Sequence, residues 1–293
     1  MTKTDMISRI KALHIWQGDL MLETLKGGIT NINFLAEDAT GKYVVRFGSD
    51  IPEHHVMRFN ELAANRAAYK AGLSPKVVYA EKQLTVIQYI ESTTLKEVDV
   101  RKPETLPRII DLIKKYHTEV PKHFRGPAMI FWVYHVIRDY SATLLDNNTS
   151  HCSLIPELLS INEKLEQKSG PFDLVFGHND LLCGNILDDG NRLWLIDFDY
   201  AGFNSPLFDL GGLASNNGLN EKQEIQMLES YFEAPVNQTL LRRYEAMKCA
   251  SLLRETMWSM VSEIKSEIDF DYVTYTAENY SRFKSAYENF LQS

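Results

Sequence analysis

Two short stretches, dense in acids and amides, constrain this chain most. HNDLLCGN runs from His178 to Asn185, and LIDFDYAG runs from Leu195 to Gly202. Apolar, strand-like sequence flanks both: FDLVFG before the first, NILDD and LWLIDF leading into the second. An acid at the mouth of a buried strand points into a cleft, where its oxygens can hold a hard divalent cation. Asn185 closes the loop that begins at His178, one hairpin before Asp197, so the two can converge from opposite ends of a strand pair. Asp180 sits inside that loop and faces whatever binds opposite. Asn, Asp and Gly dominate ordinary turns as well, but turns do not require both segments, in this order, with strands between them.

Elsewhere the hydrophobic periodicity divides the chain. Asp19 to Thr24 and Ile32 to Glu37 read as strands joined by LKGGITN, a glycine-containing hairpin connection. KYVVRFG (Lys42 to Gly48) is a third strand. Met57 to Ala71 is rich in helix formers and ends at Gly72; strand-like Val77 to Ala80 and Leu84 to Ile90 follow. Beyond Ile90 helical spacing takes over, at Pro107 to His117, Trp132 to Leu145, Leu154 to Gln167, Glu221 to Phe232, Gln238 to Glu267 and Tyr272 to Leu291. The pattern predicts an α+β fold: a mostly antiparallel sheet lobe over residues 1–90 and a larger helical lobe over residues 91–293.

Composition narrows the function classes. The net charge of −8 disfavours a nucleic-acid partner, which usually meets a basic face. No apolar run has the length of a membrane span, and MTKTDMISRIKALHIW lacks the apolar core of a secretion signal. Cys152, Cys183 and Cys249 form no even framework and read as reduced thiols of a cytoplasmic protein. An oligomer remains open.

One acid for an incoming hydroxyl, plus an amide and an acid for Mg²⁺, is the residue set of phosphoryl transfer in protein kinases, where the loop reads HRDxxxxN and the second motif DFG. Here His178, Asp180 and Asn185 keep the first spacing, and Asp197-Phe198-Asp199 answers to the second. Such chemistry also needs a cation on the third strand held by a helical acid. Arg46 and Glu61 supply the pair. Gly27, Gly28, Thr30 and Asn31 can turn backbone N–H groups toward anionic oxygens. His54 and His55 have no second ligand cluster in the sequence, and His178 reads as a packing residue.

With these motifs the chain resembles the choline/ethanolamine kinases, within the aminoglycoside-phosphotransferase-like branch of the protein-kinase-like fold, from about Leu25 to Phe283. The resemblance rests on GGITNINF, YVVRFG with arginine where protein kinases have lysine, QYI at Gln88, HNDLLCGNIL, LIDFDY, and FDLG at Phe208 to Gly211. It implies an ATP-dependent kinase of the choline hydroxyl that gives phosphocholine, with Mg²⁺ as cofactor. In it Asp180 would orient and deprotonate the acceptor, and Asn185 and Asp197 would hold the metal. Arg46, paired with Glu61, would contact ATP phosphates beside Gly28, Thr30 and Asn31, and Gln88, Tyr89 and Ile90 would offer backbone to adenine.

The resemblance also implies that Trp258 and Tyr275 supply aromatic faces to a quaternary ammonium, by cation–π attraction worth roughly 0.5–2 kcal/mol per ring. Three positions depart from the family pattern. Asn216 stands where an acid is usual, Glu255 where animal enzymes carry tryptophan, and Asp199 where glutamate follows the DF pair. Glu255, three residues before Trp258 and on its helical face, is expected to supply the charge that Asn216 lacks. Ethanolamine, another small amino alcohol, an aminoglycoside or thiamine remain alternative acceptors. A second Mg²⁺ near Asp199 is open, and a non-catalytic binding protein on the same fold is the rival from another class.

Overall fold

The computed structural model describes residues 1–25, 31–171, 173–266 and 268–292. Five antiparallel strands build the front of the molecule: β1 (Met21–Leu25), β2 (Ile32–Asp38), β3 (Gly41–Phe47), β4 (Val77–Glu81) and β5 (Leu84–Gln88). They pair in the order β1-β2-β3-β5-β4. Successive strand residues face opposite ways. Val45 and Phe47 therefore point to one side, where they join Phe34, Ala36, Leu84 and Val86 in a small core. A helix absent from the sequence reading, α1 (Lys3–Lys11), closes that core with Met6 and Ile10, four residues apart on one face. Thr2 caps it: its hydroxyl accepts from the Asp5 N–H, and the Asp5 carboxylate accepts from the Thr2 N–H.

Arg46, between Val45 and Phe47, is thereby turned to the other side of the sheet. That side meets α2 (Arg58–Lys70). Ala64 and Ala68 bury in a second, larger core shared with the helical part of the chain, and Glu61, three residues before Ala64, lies on the same face. Gly72 follows α2 at φ +76°, a conformation that suits glycine and turns the chain into β4.

The rest is mainly helical. After β6 (Thr93–Thr94) come α3 (Glu97–Val100), α4 (Thr105–His123), α5 (Val133–Asp146) and α6 (Ile155–Ser169). Four short strands then interrupt: β7 (Val175–Gly177), β8 (Ile186–Asp188), β9 (Leu193–Leu195) and β10 (Gly202–Asn204). β8 lies between β6 and β9, while β10 pairs with β7. Helices α7 (Pro206–Asn217), α8 (Glu221–Phe232), α9 (Gln238–Lys265) and α10 (Tyr272–Gln292) complete the chain. The sequence reading left β10 and α7 unassigned. Ser205 starts α7, its hydroxyl accepting from the Leu207 N–H, with Pro206 in the first turn.

α9 is the axis of this part. Between Tyr244 and Ser262 it is buried nearly all round, packed by α5, α6, α7 and α10. Gly211 lets α7 approach it closely: a Cβ at Gly211 would stand 2.9 Å from the Lys248 Cα and 3.1 Å from its backbone nitrogen. Backbone cannot swing aside, so Gly211→Ala is expected to destabilise by about 1–3 kcal/mol. A lowered urea midpoint with an unchanged slope would show this; an unchanged midpoint would mean the helices separate freely. Among the described residues no helix is long and apolar enough to cross a membrane.

Candidate active site

The register Ile186↔Leu195 between β8 and β9 places Asn185 opposite Ile196, whose N–H donates to the Asn185 carbonyl at 3.1 Å. Asp197 is the next residue. The hairpin therefore brings Asn185 and Asp197 to one edge. The Asn185 Nδ2 donates to the Asp180 carboxylate at 3.1 Å and to its carbonyl at 2.9 Å. The Asn185 side-chain oxygen is thus turned away from Asp180. Asp197 holds φ at +65°, unusual for a residue with a side chain.

Two arginines from the front of the molecule meet these acids. The Arg46 guanidinium reaches Glu61 at 3.2 Å, Asp197 at 2.9 Å and Asp199 at 2.8 Å. Arg58, which the sequence reading passed over, donates from Nη1 to both Glu61 and Asp199 at 2.7 Å. Two guanidinium groups thus face three carboxyl groups. Burial opposes ionisation of both aspartates of the second motif. At Asp197, whose side chain is 31% exposed, Arg46 overrides it and the pKa is lowered. At Asp199 burial and the Asp197 charge prevail and raise the pKa to about 8.

Asp209, from the FDLG motif, fixes the loop that carries Asp180. Its carboxylate, 2% exposed, accepts the backbone N–H of His178 at 2.7 Å and of Asn179 at 2.6 Å. It also contacts His117 Nε2 at 2.9 Å. Burial works against its charge, but the His117 contact and these N–H groups hold its pKa below the usual range. Asn179 sits at φ +63°, its amide donating to the Tyr200 and Gly202 carbonyls. His178 is buried between Tyr116 and Phe198. Its Nε2 lies 3.0 Å from the Ile196 carbonyl, so that nitrogen carries the proton, and burial lowers the ring's pKa. The ring is a neutral packing element, as its loop position suggested. Asp180 itself has its pKa raised to about 7. Burial is the main cause, and the charges of Asp197 and Glu255 add to it against Arg254 and the Asn185 amide.

On the far side of Asp180 lies α9. Glu255 accepts the Tyr275 hydroxyl at 2.8 Å with one oxygen and the Arg254 guanidinium at 3.0 Å with the other. Trp258 is only 7% exposed: its ring lies 5.0 Å from that of His54, and its N–H donates to the Tyr200 hydroxyl at 2.9 Å. Tyr275 meets it edge-on at 6.4 Å. Asn216, half-buried near the end of α7, makes no hydrogen bond to Asp180, Glu255 or Trp258 among the described residues. Its neighbour Asn217 instead holds the loop that carries Asp180, through the Leu181 carbonyl at 3.2 Å.

Of the nucleotide-side residues, Gly28 and Thr30 lie outside the described residues, and Asn31 borders a small recess with Arg46 and Glu61. At the end of β5 the N–H groups of Gln88 and Tyr89 are committed to the carbonyls of Lys76 and Lys42. Arg58, Asp209, Asn217 and Arg254 are the residues that sequence reasoning missed. Only Asp209 left a signal, as the acid of FDLG.

A family model for choline/ethanolamine kinases matches residues 22–225. A probable ethanolamine kinase A of Dictyostelium discoideum is 28% identical, over 93% of this chain and 87% of its own. A choline/ethanolamine kinase family protein of Mesorhizobium loti superposes with a TM-score of 0.78 at 26% identity, covering 98% of this chain and 95% of its own. The choline kinase LicA of Streptococcus pneumoniae shares the fold with a TM-score of 0.77 at 22% identity, each chain covered in full. The chain belongs to the choline/ethanolamine kinase family of alcohol phosphotransferases.

Proposed function

We propose that the protein transfers the γ-phosphoryl group of ATP to the hydroxyl of a small amino alcohol bearing a primary ammonium. The observation that carries this reading is the convergence of Asp180, Asn185 and Asp197 on one side of a cleft whose other wall presents Arg46 held by Glu61. ATP lies in that cleft, between the sheet-bearing residues 1–90 and the helical residues 91–293. Ile90 N–H and the carbonyls of Gln88 to Ile90 serve adenine, since the N–H groups of Gln88 and Tyr89 are taken. Arg46 and Asn31 face the phosphates.

The Asn185 side-chain oxygen and the Asp197 carboxylate are hard donors that fit Mg²⁺. When bound, that ion neutralises charge on the phosphate oxygens. Asp180 accepts the acceptor's proton as its oxygen bonds to the γ-phosphorus, while the bond to the β,γ-bridging oxygen breaks and ADP leaves. An acid whose pKa stands near 7 is matched to this task near neutrality. Positioning and charge stabilisation do the rest.

Choline was the acceptor expected from Trp258 and Tyr275. The surroundings of those residues favour an N–H donor instead. Trp258 turns its N–H to Tyr200 and its face to His54, while Glu255 and Asp180 present oxygen. A trimethylammonium has no proton to give them, and ethanolamine has three. Acceptor-dependent ADP release from purified protein with Mg·ATP tests this, with ethanolamine, choline, thiamine and kanamycin compared. We expect the highest kcat/KM among these four with ethanolamine. Release with kanamycin or thiamine alone would refute the amino-alcohol reading.

A further inference from the structure

Arg254 has no part in the mechanism above, yet it lies against the acceptor side of the site. The side chain is 4% exposed. Its guanidinium carbon lies 4.3 Å from the centre of the Tyr200 ring and 5.5 Å from that of Phe131. It is within electrostatic reach of Asp180. Nη1 donates to Glu255 at 3.0 Å, while Nε and Nη2 are buried with no acceptor within 3.5 Å among the described residues. Those two atoms form one edge of the guanidinium plane, the fork that grips both oxygens of a carboxylate. The Tyr140 hydroxyl, 3.3 Å from His54 Nδ1, also answers this guanidinium with its single oxygen. A buried donor left unsatisfied costs roughly 1–3 kcal/mol, so an edge of two donors answered by at most one hydroxyl oxygen calls for an occupant.

The charge arrangement agrees. Asp180 and Glu255 bring carboxyl groups, and Arg254 brings a guanidinium. His54 stays neutral, because burial and Arg254 push its pKa down to about 3. A pocket meant only for an ammonium gains nothing from a guanidinium beside it. Acids beside an incompletely answered guanidinium edge suit a molecule that carries both charges.

We propose that Arg254 is a specificity-determining residue and that the acceptor is a hydroxylated amino acid. Its hydroxyl meets Asp180, its ammonium meets Glu255, and its carboxylate takes the Nε/Nη2 edge of Arg254. This rests on the kinase reading above and narrows its acceptor.

The test compares ethanolamine with L-serine, which is ethanolamine with a carboxylate on the amine-bearing carbon, and with L-homoserine, one carbon longer. In the wild-type enzyme one of the two carboxylated acceptors should exceed ethanolamine in kcat/KM by at least tenfold. Arg254→Met should lower the ratio of carboxylated to parent acceptor by at least thirtyfold, through KM. Arg254→Lys, which keeps the charge and loses the fork, should fall between. A merely structural arginine would lower both acceptors alike and leave the ratio unmoved. That result, or a wild-type enzyme that prefers ethanolamine to both, overturns the proposal. If no acceptor is turned over, the kinase reading fails, and calorimetric titration of the same two amino acids still decides the role of Arg254. Binding weakened in Arg254→Lys and lost in Arg254→Met, variants whose thermal melts report their folding, supports the role; binding equal to that of the wild type, or absent from the wild type, refutes it.

Discussion

Replacing Asp180 with asparagine lowers kcat by about 10²–10⁴-fold, the range for removal of a positioned general base. The amide keeps the size and the Asn185 contact but cannot take the acceptor's proton. The KM for ATP should stay within about twofold, because the proposed mechanism sets Asp180 against the acceptor rather than the nucleotide. The same change should alter stability with a definite sign. Burial raises the Asp180 pKa from 3.8 to about 7 in the folded chain, so the native state binds more protons than the unfolded one between those values. The contribution of Asp180 therefore becomes less favourable as pH rises from about 4 to 7 and is constant above. Asp180→Asn should be more stable than the wild type at pH 8, and the difference should shrink toward pH 4. Urea midpoints at both pH values check this. An activity within tenfold of wild type would remove Asp180 from the chemistry.

Loss of Asp209 is expected to damage folding most. Its carboxylate gathers two backbone N–H groups and a histidine nitrogen in a site closed to water. Alanine leaves all three without a partner, at a cost of about 3–5 kcal/mol, comparable to breaking a buried ion pair. The variant should unfold at much lower urea than the wild type. Asp209→Asn keeps the volume but offers an N–H₂ where a donor already points. Its cost should be about 1–3 kcal/mol, the penalty for an unsatisfied buried group. The loop bearing Asp180 would shift with it, and a displacement of about 1 Å can lower kcat on the order of 10²-fold. Wild-type stability in Asp209→Ala would mean that the loop is held by Asn179 and Asn217 instead.

The sequence exposed some of these parts and concealed others for physical reasons. Strand alternation put Arg46 on the face away from Val45 and Phe47, so its meeting with Glu61 was legible. Asp180, Asn185 and Asp197 were legible because hairpin spacing limits where they can go. Arg254 and Glu255 are adjacent charges in a helix, and that pattern normally means a solvated face. Their burial follows from α9 being surrounded by four other helices, which no local window reveals. Trp258 was read as a ligand face because its spacing to Tyr275 fits the family, but the spacing says nothing of His54 pressing on the ring. Arg58 escaped notice because its partner Asp199 is 141 residues away. α1 is only nine residues long, with two buried apolar positions, too few for a clear period.

The arginine cluster also bears on how the chain is made. Arg46 and Asp197 are separated by 151 residues. At synthesis rates of about 5–20 residues per second, Arg46 leaves the ribosome on the order of ten seconds before Asp197 exists. During that interval Glu61 is, among the described residues, the one carboxyl group that meets both Arg46 and Arg58, while the Ser49 carbonyl also accepts from Arg58. The front sheet can therefore hold its strands through the Phe34–Val45–Leu84 core, but two guanidinium groups on its inner side must stay hydrated. The two sides of the cleft close on each other only when the second motif arrives. A nascent fragment ending before Asp197 should accordingly show a protected sheet whose inner face exchanges freely with water, and the catalytic cleft is among the last parts of the enzyme to dry.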